Sequence, residues 1–362
     1  TDFYGGQYAP LAFLSYLVLY AGFGYDPFYF HMFSLLLHIG CVCLVWKLIS
    51  SLLRVHGGVS EKQILYVNFI TTLLFAVHPI NVEAVAWISA LKVLLYAFFY
   101  LLGLLCYLRY IRTSKIFYYV LTIGCFLCSF WGKEQAVTFP LALLIVDWFT
   151  NRNMKNLEVW SEKMSFLIMA FFFGIITVLS QGKGPYEMIF PLYQRLLFGC
   201  FALVEYITKS LLPVNLNFFY PFPIVLGEEP PLHYYLYPVV LLFLMGWIIA
   251  YRNNRYLVFG VLLFLVNLLF SIHLFNMSRH AIVADRYMYL SYVGIAFLIA
   301  NGIWWLRKRL SYFKAALVFL FFYCFFLSVY TFHYTKKWEN TTMVKKYTKE
   351  VLEKRLNGSN HL

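Results

Sequence analysis

Long apolar runs separated by short polar loops constrain this chain more than any other feature. Of its 362 residues, 62% are hydrophobic and only 12% are charged, which is far from the composition of a soluble globular domain. A helix needs about 20 apolar residues to cross a bilayer. Runs that meet or approach this length cover residues 27–53, 63–79, 93–110, 116–131, 136–150, 163–180, 235–251, 256–274, 287–306 and 314–333. With the less regular stretches 8–24 and 191–212, the pattern predicts an all-α integral membrane protein with about 10–12 transmembrane or interfacial helices.

Positive charge is concentrated in the loops between these runs. The formal net charge is +13, and beside so many apolar runs this surplus indicates cytoplasmic loops, not a nucleic-acid-binding surface. Lys and Arg clusters occupy the loops near residues 47–54, 109–115, 152–163, 252–255 and 307–314. We assign these loops to the cytoplasm. The outer side then receives residues 78–92, 131–135, 181–234, 275–286 and everything after 334.

The stretch 191–212 does not fit this assignment as a single span. It carries Arg195, Glu205 and Lys209, so we expect it either to lie at the outer interface or to re-enter the membrane from that side. Glu205 and Lys209 have i,i+4 spacing and are predicted to pair on one helix face, from which the lysine could also reach a phosphate. Asp147 lies at a predicted cytoplasmic span end, and we interpret it as structural.

Glu83 is the most prominent acid on the predicted outer side. It follows His78 by five residues, and an acid near the membrane interface is costly to hold unless it is hydrated, paired or functional. Two interpretations remain open: a catalytic acid, or an acid in the first turn of a helix that Asn81 caps. The spacing does not match a zinc motif, and the Cys125–Cys128 pair lies inside an apolar run, so no metal ligands are predicted.

Two adjacent charge pairs also lie at outer span ends. Lys133 and Glu134 occupy the break between two predicted spans, where they form either an interfacial ion pair or part of a phosphate site. Asp285 and Arg286 open the span 287–306. Arginine suits bidentate phosphate binding, and the neighbouring acid could orient it.

These pairs, with nearby tyrosines, predict a cationic, aromatic-lined cavity on the outer face. Tyr287 and Tyr289 would be ordinary members of an interfacial aromatic belt. Such a cavity suits transfer from an anionic lipid-linked substrate, with an acid as general base and Arg or Lys groups stabilising the departing phosphate. The residues alone do not name a sugar or require one.

Several stretches occur in an order that is informative as a set. They are Asp2-Phe-Tyr-Gly, Tyr29 to His38, Phe75 to Ser89, Gly132-Lys-Glu134, Tyr206 to Pro221 and Ala284 to Leu290. In this order, over nearly all of residues 1–345, they resemble the membrane part of the tetratricopeptide-repeat O-mannosyltransferase family, which are multispanning glycosyltransferases of the GT-C fold. Trp338-Glu-Asn and the polar residues after it resemble the junction to the repeat array.

The resemblance implies a domain organisation, an activity and a set of site residues. Residues 1–334 would form a GT-C-like helical bundle, and 335–362 would begin an extramembrane tetratricopeptide-repeat segment. The donor would be a polyprenyl- or dolichyl-phosphate-linked hexose such as mannose, and the acceptor a protein or glycan on the outer or lumenal face. No cofactor is implied with certainty, and a divalent metal is not indicated. Glu83 would be catalytic, and the substrate-binding residues would be Asp2, His78, Lys133, Glu134, Lys209, Tyr220, Asp285, Arg286 and Tyr289.

The resemblance also implies missing parts. Enzymes of the GT-C fold usually place a catalytic Asp just after the first span, and this chain begins inside or beyond that loop. We therefore expect the first span, the main catalytic base and the repeat array to lie outside the chain, and we expect a bacterial cytoplasmic membrane with the site on the periplasmic face.

Two other function classes stay open. A transporter or flippase of lipid-linked saccharides would have inverted repeats and charges near the bilayer midplane, and neither is evident. A non-catalytic membrane scaffold would tolerate Glu83→Gln with no effect except on stability.

Overall fold

The computed structural model describes residues 9–181, 190–272 and 281–359. Within these ranges the protein consists of α-helices joined by turns, with one isolated antiparallel bridge between Tyr220 and Val283 and no longer strand. The helices are α1 (Pro10–Phe23), α2 (Pro27–His56), α3 (Glu61–Val77), α4 (Val82–Ala86), α5 (Leu91–Thr113), α6 (Ile116–Gly132), α7 (Phe139–Phe149), α8 (Leu157–Gln181), α9 (Leu192–Leu211), α10 (Leu236–Ala250), α11 (Arg255–Leu268), α12 (Met288–Leu306), α13 (Leu310–Thr335) and α14 (Thr341–Ser359). The predicted all-α fold is confirmed.

Six helical stretches in the described ranges are long and apolar enough to cross a membrane. They are Pro27–His56, Ile88–Thr113, Leu157–Thr177, Leu232–Ala250, Asp285–Leu306 and Leu310–Trp338. Helix α3 and the segment Pro79–Ala86 pass the same test together, but they are bent by 51°. These seven correspond to seven of the predicted spans. The chain is therefore a multi-pass membrane protein.

Three predicted spans form shorter helices. Helices α6, α7 and α11 contain 17, 11 and 14 residues, fewer than the roughly 20 that a straight crossing needs. Between α6 and α7 the chain is extended at Lys133 and then forms a 3₁₀ turn over Glu134–Thr138. The charged pair therefore coincides with a break in the helical run. The interfacial position of 191–212, which forms α9, remains a prediction.

Helices α5 and α12 each pack against two other helices and form the centre of the bundle. Helix α5 packs against α2 and α6, and α12 packs against α3 and α11. The α11–α12 contact is unusually close, because a Cβ atom added to Gly294 would lie 2.5 Å from the carbonyl oxygen of Gly260. At the periphery, α10 has no buried residue, and Phe243 on it is 76% exposed. Such apolar exposure is expected on a surface that faces lipid.

A buried ionic cluster ties α5, α7 and α8 together at one end of the bundle. The fully buried side chains of Asp147 and Lys163 form an ion pair, and the Tyr107 hydroxyl lies 2.8 Å from each carboxylate oxygen of Asp147. Arg152 adds ion pairs to Asp147 at 3.1 Å and to Glu162 at 2.6 Å. Every charge in the cluster thus has an opposite partner, which fits the structural role predicted for Asp147.

The loops that were assigned to the cytoplasm meet at this same end. The ring nitrogen Nδ1 of His56 lies 2.7 Å from the Phe149 carbonyl oxygen, and the amide of Asn151 donates to the His56 carbonyl oxygen at 3.2 Å. The Arg255 guanidinium bonds to the Asn151 side chain. Loops that are far apart in the sequence and carry positive charge therefore lie close together in the fold.

Candidate functional site

A bent segment after α3 positions Glu83. His78 ends α3, and its Nδ1 accepts a hydrogen bond from the Ile80 N–H at 3.2 Å, which starts the 3₁₀ turn Pro79–Asn81. Asn81 precedes α4, but its side chain makes no cap; its amide donates to the Phe75 carbonyl oxygen at 2.7 Å. The capping interaction considered for Asn81 is therefore wrong. Helix α4 then directs Glu83 into the bundle, where it is fully buried.

Glu83 and Arg286 form an ion pair at the end of the bundle that the sequence predicts to face outward. The Glu83 oxygens accept from the backbone N–H of Arg286 at 2.7 Å and from its guanidinium at 2.5 Å. The Glu83 side chain is fully buried, while that of Arg286 is 20% exposed. A charge-assisted pair with two donors fixes the arginine more firmly than a single contact would. One edge of the guanidinium is thus held by protein, and the group still reaches the surface.

Aromatic rings surround this arginine and join it to a second cation. The Arg286 guanidinium carbon lies 5.4 Å from the ring centroid of Trp87 and 5.1 Å from that of Tyr287. The Lys133 ammonium lies 4.6 Å from the same Tyr287 ring, so this ring contacts two cations. Lys133 is buried and Glu134 is half-buried beside it. These distances allow cation–π attraction, which strengthens where water is excluded.

Lys92 extends the cationic region. It begins α5, is half-buried, and interacts electrostatically with Glu134, Arg286 and Tyr287. Three positive side chains therefore lie around one tyrosine ring, with Glu83 and Glu134 as the nearby acids. A site of this charge and depth is suited to an anion that carries an apolar group.

A hydrogen-bonded chain lies directly beside the pair. The Lys209 ammonium donates to the Tyr220 hydroxyl at 3.0 Å, which in turn donates to the Asp285 carboxylate at 3.0 Å. The backbone N–H of Asn217 also donates to this hydroxyl at 2.7 Å. Burial, followed by the Asp285 charge, holds the pKa of Tyr220 well above its usual value, so the phenol stays protonated. The predicted Glu205–Lys209 pair is confirmed at 3.5 Å.

The structure brings most of the predicted site residues to one end but separates others from the cluster. His78 is fully buried against the Tyr292 ring, with centroids 4.1 Å apart. Tyr289 is also fully buried, and its hydroxyl lies 2.7 Å from Nδ1 of His38. Neither makes a described contact with Arg286. Asp2 lies outside the described residues.

Tyr287 is the residue whose position sequence reasoning undervalued. Its position in the sequence predicts an ordinary member of an interfacial belt, yet its ring lies within about 5 Å of both the Lys133 and the Arg286 cations. The available signal was its place directly after Arg286, at the start of a span. A lysine more than 150 residues away gives no such signal, because only the fold brings it to the ring.

Two cavities border α4, and neither is lined by Lys133 or Arg286. The inner cleft, of about 770 Å³, lies between α2, α4 and α13 and is lined by His31, His38 and His78 among others. The outer groove, of about 790 Å³, lies between the Trp87 turn, the Phe218 loop and α14. Both volumes are within the range of ligand sites. In the described part of the chain, no group of three or more His, Cys, Asp or Glu side chains is placed to hold a metal ion.

Comparison with known proteins agrees with the resemblance drawn from the motifs. Protein O-mannosyl-transferase tmtc2 of Xenopus laevis is 30% identical over 184 residues, which is 49% of this chain and 21% of that protein. TMTC2 of Homo sapiens is 34% identical over 160 residues, 42% of this chain and 18% of that protein. Tmtc3 of Drosophila melanogaster is 28% identical over 172 residues, again 42% and 18%.

The matched regions cover only part of this chain and a smaller part of each relative. The chain spans about a fifth of the length of the relatives it matches. No protein-family model matches the chain, and no solved structure does. Over up to half of its length, this multi-pass membrane protein is thus similar to the protein O-mannosyl-transferases, and the resemblance of its motifs is confirmed.

Proposed function

We propose that the chain is the membrane part of a glycosyltransferase. It moves mannose or a similar hexose from a polyprenyl- or dolichyl-phosphate donor to a protein or glycan acceptor. Residues 1–334 form the GT-C-like catalytic domain, and residues 335–362 begin a tetratricopeptide-repeat segment. We place the reaction on the outer face, in a bacterial cytoplasmic membrane. The similarity to protein O-mannosyl-transferases supports this reaction class.

The observation that carries the proposal is the fixed Arg286 guanidinium among aromatic rings at the outer end. A lipid-linked sugar donor presents a phosphate at the depth of the headgroups, with an apolar tail below and a sugar above. Arg286 and Lys133 supply positive charge in a largely desolvated setting, where it stabilises an anion more strongly than in water. The Trp87 and Tyr287 rings can contact the sugar or the first tail carbons.

In the reaction the acceptor hydroxyl oxygen attacks the sugar carbon C1. The bond from C1 to the phosphate oxygen breaks, and the lipid phosphate leaves with the electron pair. Arg286 and Lys133 stabilise this developing charge. The hydroxyl proton passes to a general base.

Glu83 acts in this scheme by positioning Arg286. Both of its oxygens accept hydrogen bonds from that arginine, so little of its capacity as a base remains. This geometry favours the positioning role over the catalytic role predicted from the sequence. Asp285, held by Tyr220, sets the start of α12 and thereby the place of Arg286.

The test is sugar transfer in membranes that contain the full-length protein. Radiolabelled polyprenyl-phosphate hexose is supplied, and label in protein or glycan is measured for Arg286→Ala and Lys133→Met. Loss of one group that stabilises the leaving anion should lower transfer about a hundredfold. Arg307→Ala is the matched control, since Arg307 lies at the opposite end of the same helix and contacts Trp304.

Folding is checked by monodisperse elution after extraction. The Lys133→Met variant keeps the test valid if Arg286→Ala fails to fold, because the Glu83–Arg286 pair is then intact. Folded Arg286→Ala and Lys133→Met proteins that transfer sugar at the rate of Arg307→Ala would contradict the proposal.

A further inference from the structure

Helix α14, which follows the last candidate span, is docked on the loop at Leu216 and Asn217. The Tyr347 hydroxyl of α14 donates to the Leu216 carbonyl oxygen at 3.1 Å, and the Thr348 hydroxyl donates to the Asn217 side chain at 3.4 Å. The ammonium of Lys337 lies 3.5 Å from the Tyr347 ring centroid. Helix α14 begins at a cap, since the Asn340 side chain accepts from the Met343 N–H at 2.9 Å. This docking gives the helix a defined orientation over the outer surface.

Aromatic side chains form the junction between α14 and the membrane part. The Trp338 ring centroid lies 6.3 Å from that of Trp87 and 5.9 Å from that of Phe218. With Val82, Leu216 and Tyr334, Trp338 belongs to a small separate core. The outer groove opens beside this junction, with Trp87 as part of its lining.

Trp87 connects the outer groove to the Glu83–Arg286 pair. Trp87 lines the groove, and its ring also contacts the Arg286 guanidinium, which pairs with Glu83. A molecule in the groove is therefore separated from the Glu83–Arg286 pair by one indole ring. A binding site for the second substrate belongs at this position, next to the donor phosphate site but on the water-facing side.

The lining of the outer groove matches a polypeptide. Its membrane wall is apolar and aromatic, while its α14 wall presents hydroxyl and amide groups from Asn340, Thr341 and Thr348. Groups of this kind hydrogen-bond to the backbone of an extended segment. A fatty-acyl chain, in contrast, could not hydrogen-bond to these groups and would remove them from water, at a cost.

The positive charge along the α14 wall of the groove favours acidic polypeptides over basic ones. Lys345 and Lys349 line it from α14, and Glu339 is the one acid in the lining that the structure describes. Complementary charge steers and orients a partner more than it adds affinity. We propose that the outer groove binds an extended, acidic polypeptide segment and presents it as the acceptor. This inference rests on the proposed glycosyltransferase function.

Binding is measured without any sugar donor, so its result is separate from transfer. The probe is a fluorescent peptide of alternating Glu, Ser and Gly, and a peptide with Lys in place of Glu is the reference. Anisotropy is recorded with the protein in phosphatidylcholine nanodiscs. The acidic peptide should bind more tightly than the basic one, and its affinity should fall with added salt.

The decisive variant is Lys345→Glu with Lys349→Glu. Lys346→Glu is the matched control, because Lys346 is an exposed lysine of the same helix that is not in the groove lining. Reversing two exposed charges should weaken binding of the acidic peptide at least about fivefold, whereas the control should change it less than twofold. A photo-reactive residue replacing Ser89 should crosslink to the peptide, and one replacing Met343 should not.

Two results would overturn the inference. One is equal binding by the double variant and the Lys346→Glu control. The other is binding of anionic lipid instead of peptide. In that case the protein would not bind the peptide but would associate more tightly with vesicles that contain phosphatidylglycerol, and charge reversal at Lys345 and Lys349 would abolish this association. If peptide binding follows the expected pattern but no donor supports sugar transfer, the peptide-binding role of the groove is supported and the proposed glycosyltransferase reaction is refuted.

Discussion

Replacing Lys163 by methionine should destabilise the protein by about 3–5 kcal/mol, because it removes one partner of a buried ion pair. The side chains of Lys163 and Asp147 are both fully buried, and the cluster they share with Arg152 and Glu162 is electrically balanced. Without Lys163 the cluster holds one uncompensated negative charge. Arg152 is partly exposed and already engaged with both acids, so it cannot fully replace the lost partner.

The assay is the free energy of unfolding in bicelles, with Lys155→Met as the control. Lys155 is exposed in the same loop region, and its replacement should change the unfolding free energy by no more than about 0.5 kcal/mol. The double variant Asp147→Asn with Lys163→Met should recover part of the loss, because it removes both charges of the pair. A Lys163→Met protein within about 1 kcal/mol of Lys155→Met would refute the reasoning.

Two further predictions concern packing and a hydrogen bond. Gly294→Ala should lower the free energy of unfolding by about 1–3 kcal/mol, because its new methyl group would meet the Gly260 backbone. The control is Gly302→Ala on the same helix, where a methyl group meets nothing within 4 Å. Equal thermal stability of the two variants would contradict the close packing of α11 and α12. Tyr220→Phe should cost about 1–3 kcal/mol, because Asp285 loses a buried donor. Since the folded-state pKa of Tyr220 is raised, the stability from its hydroxyl is fully present below the unfolded-state pKa of about 10 and is lost progressively as the pH rises from there through the higher folded-state pKa. Unfolding curves of the wild type and Tyr220→Phe should therefore converge above that pH, and a constant difference would exclude this explanation.

The helical architecture could be predicted because hydropathy is a local property. A membrane span is determined by about 20 consecutive residues, so it can be identified without knowledge of the fold. The i,i+4 pair of Glu205 and Lys209 is likewise determined by nearby residues of one helix. The break at Lys133 was visible in the same way, as a charge pair inside an apolar region. The apolar runs on both sides of this break, 116–131 and 136–150, are short in the sequence too, and α7 is shorter still, with 11 residues.

The site required information that no local pattern contains. Glu83 and Arg286 are 203 positions apart, so their pairing follows only from the packing of α4 against the 3₁₀ turn Asp285–Tyr287 that precedes α12. For the same reason the sequence could not distinguish Tyr287, which contacts Arg286, from Tyr289, which is buried against His38. Both tyrosines lie at the N-terminal end of α12, only two residues apart. Side chains two positions apart on a helix point in different directions, so one reaches the candidate site and the other the core.

The most direct test of the central claim is the donor requirement of the wild-type, full-length protein. Purified protein in nanodiscs is given radiolabelled hexose either as a polyprenyl-phosphate conjugate or as a nucleotide sugar, with an acidic Ser/Thr-containing polypeptide as acceptor. We predict label in the polypeptide from the lipid-linked donor alone. No transfer from any lipid-linked donor by well-folded protein would contradict the account and would favour a scaffold or a flippase.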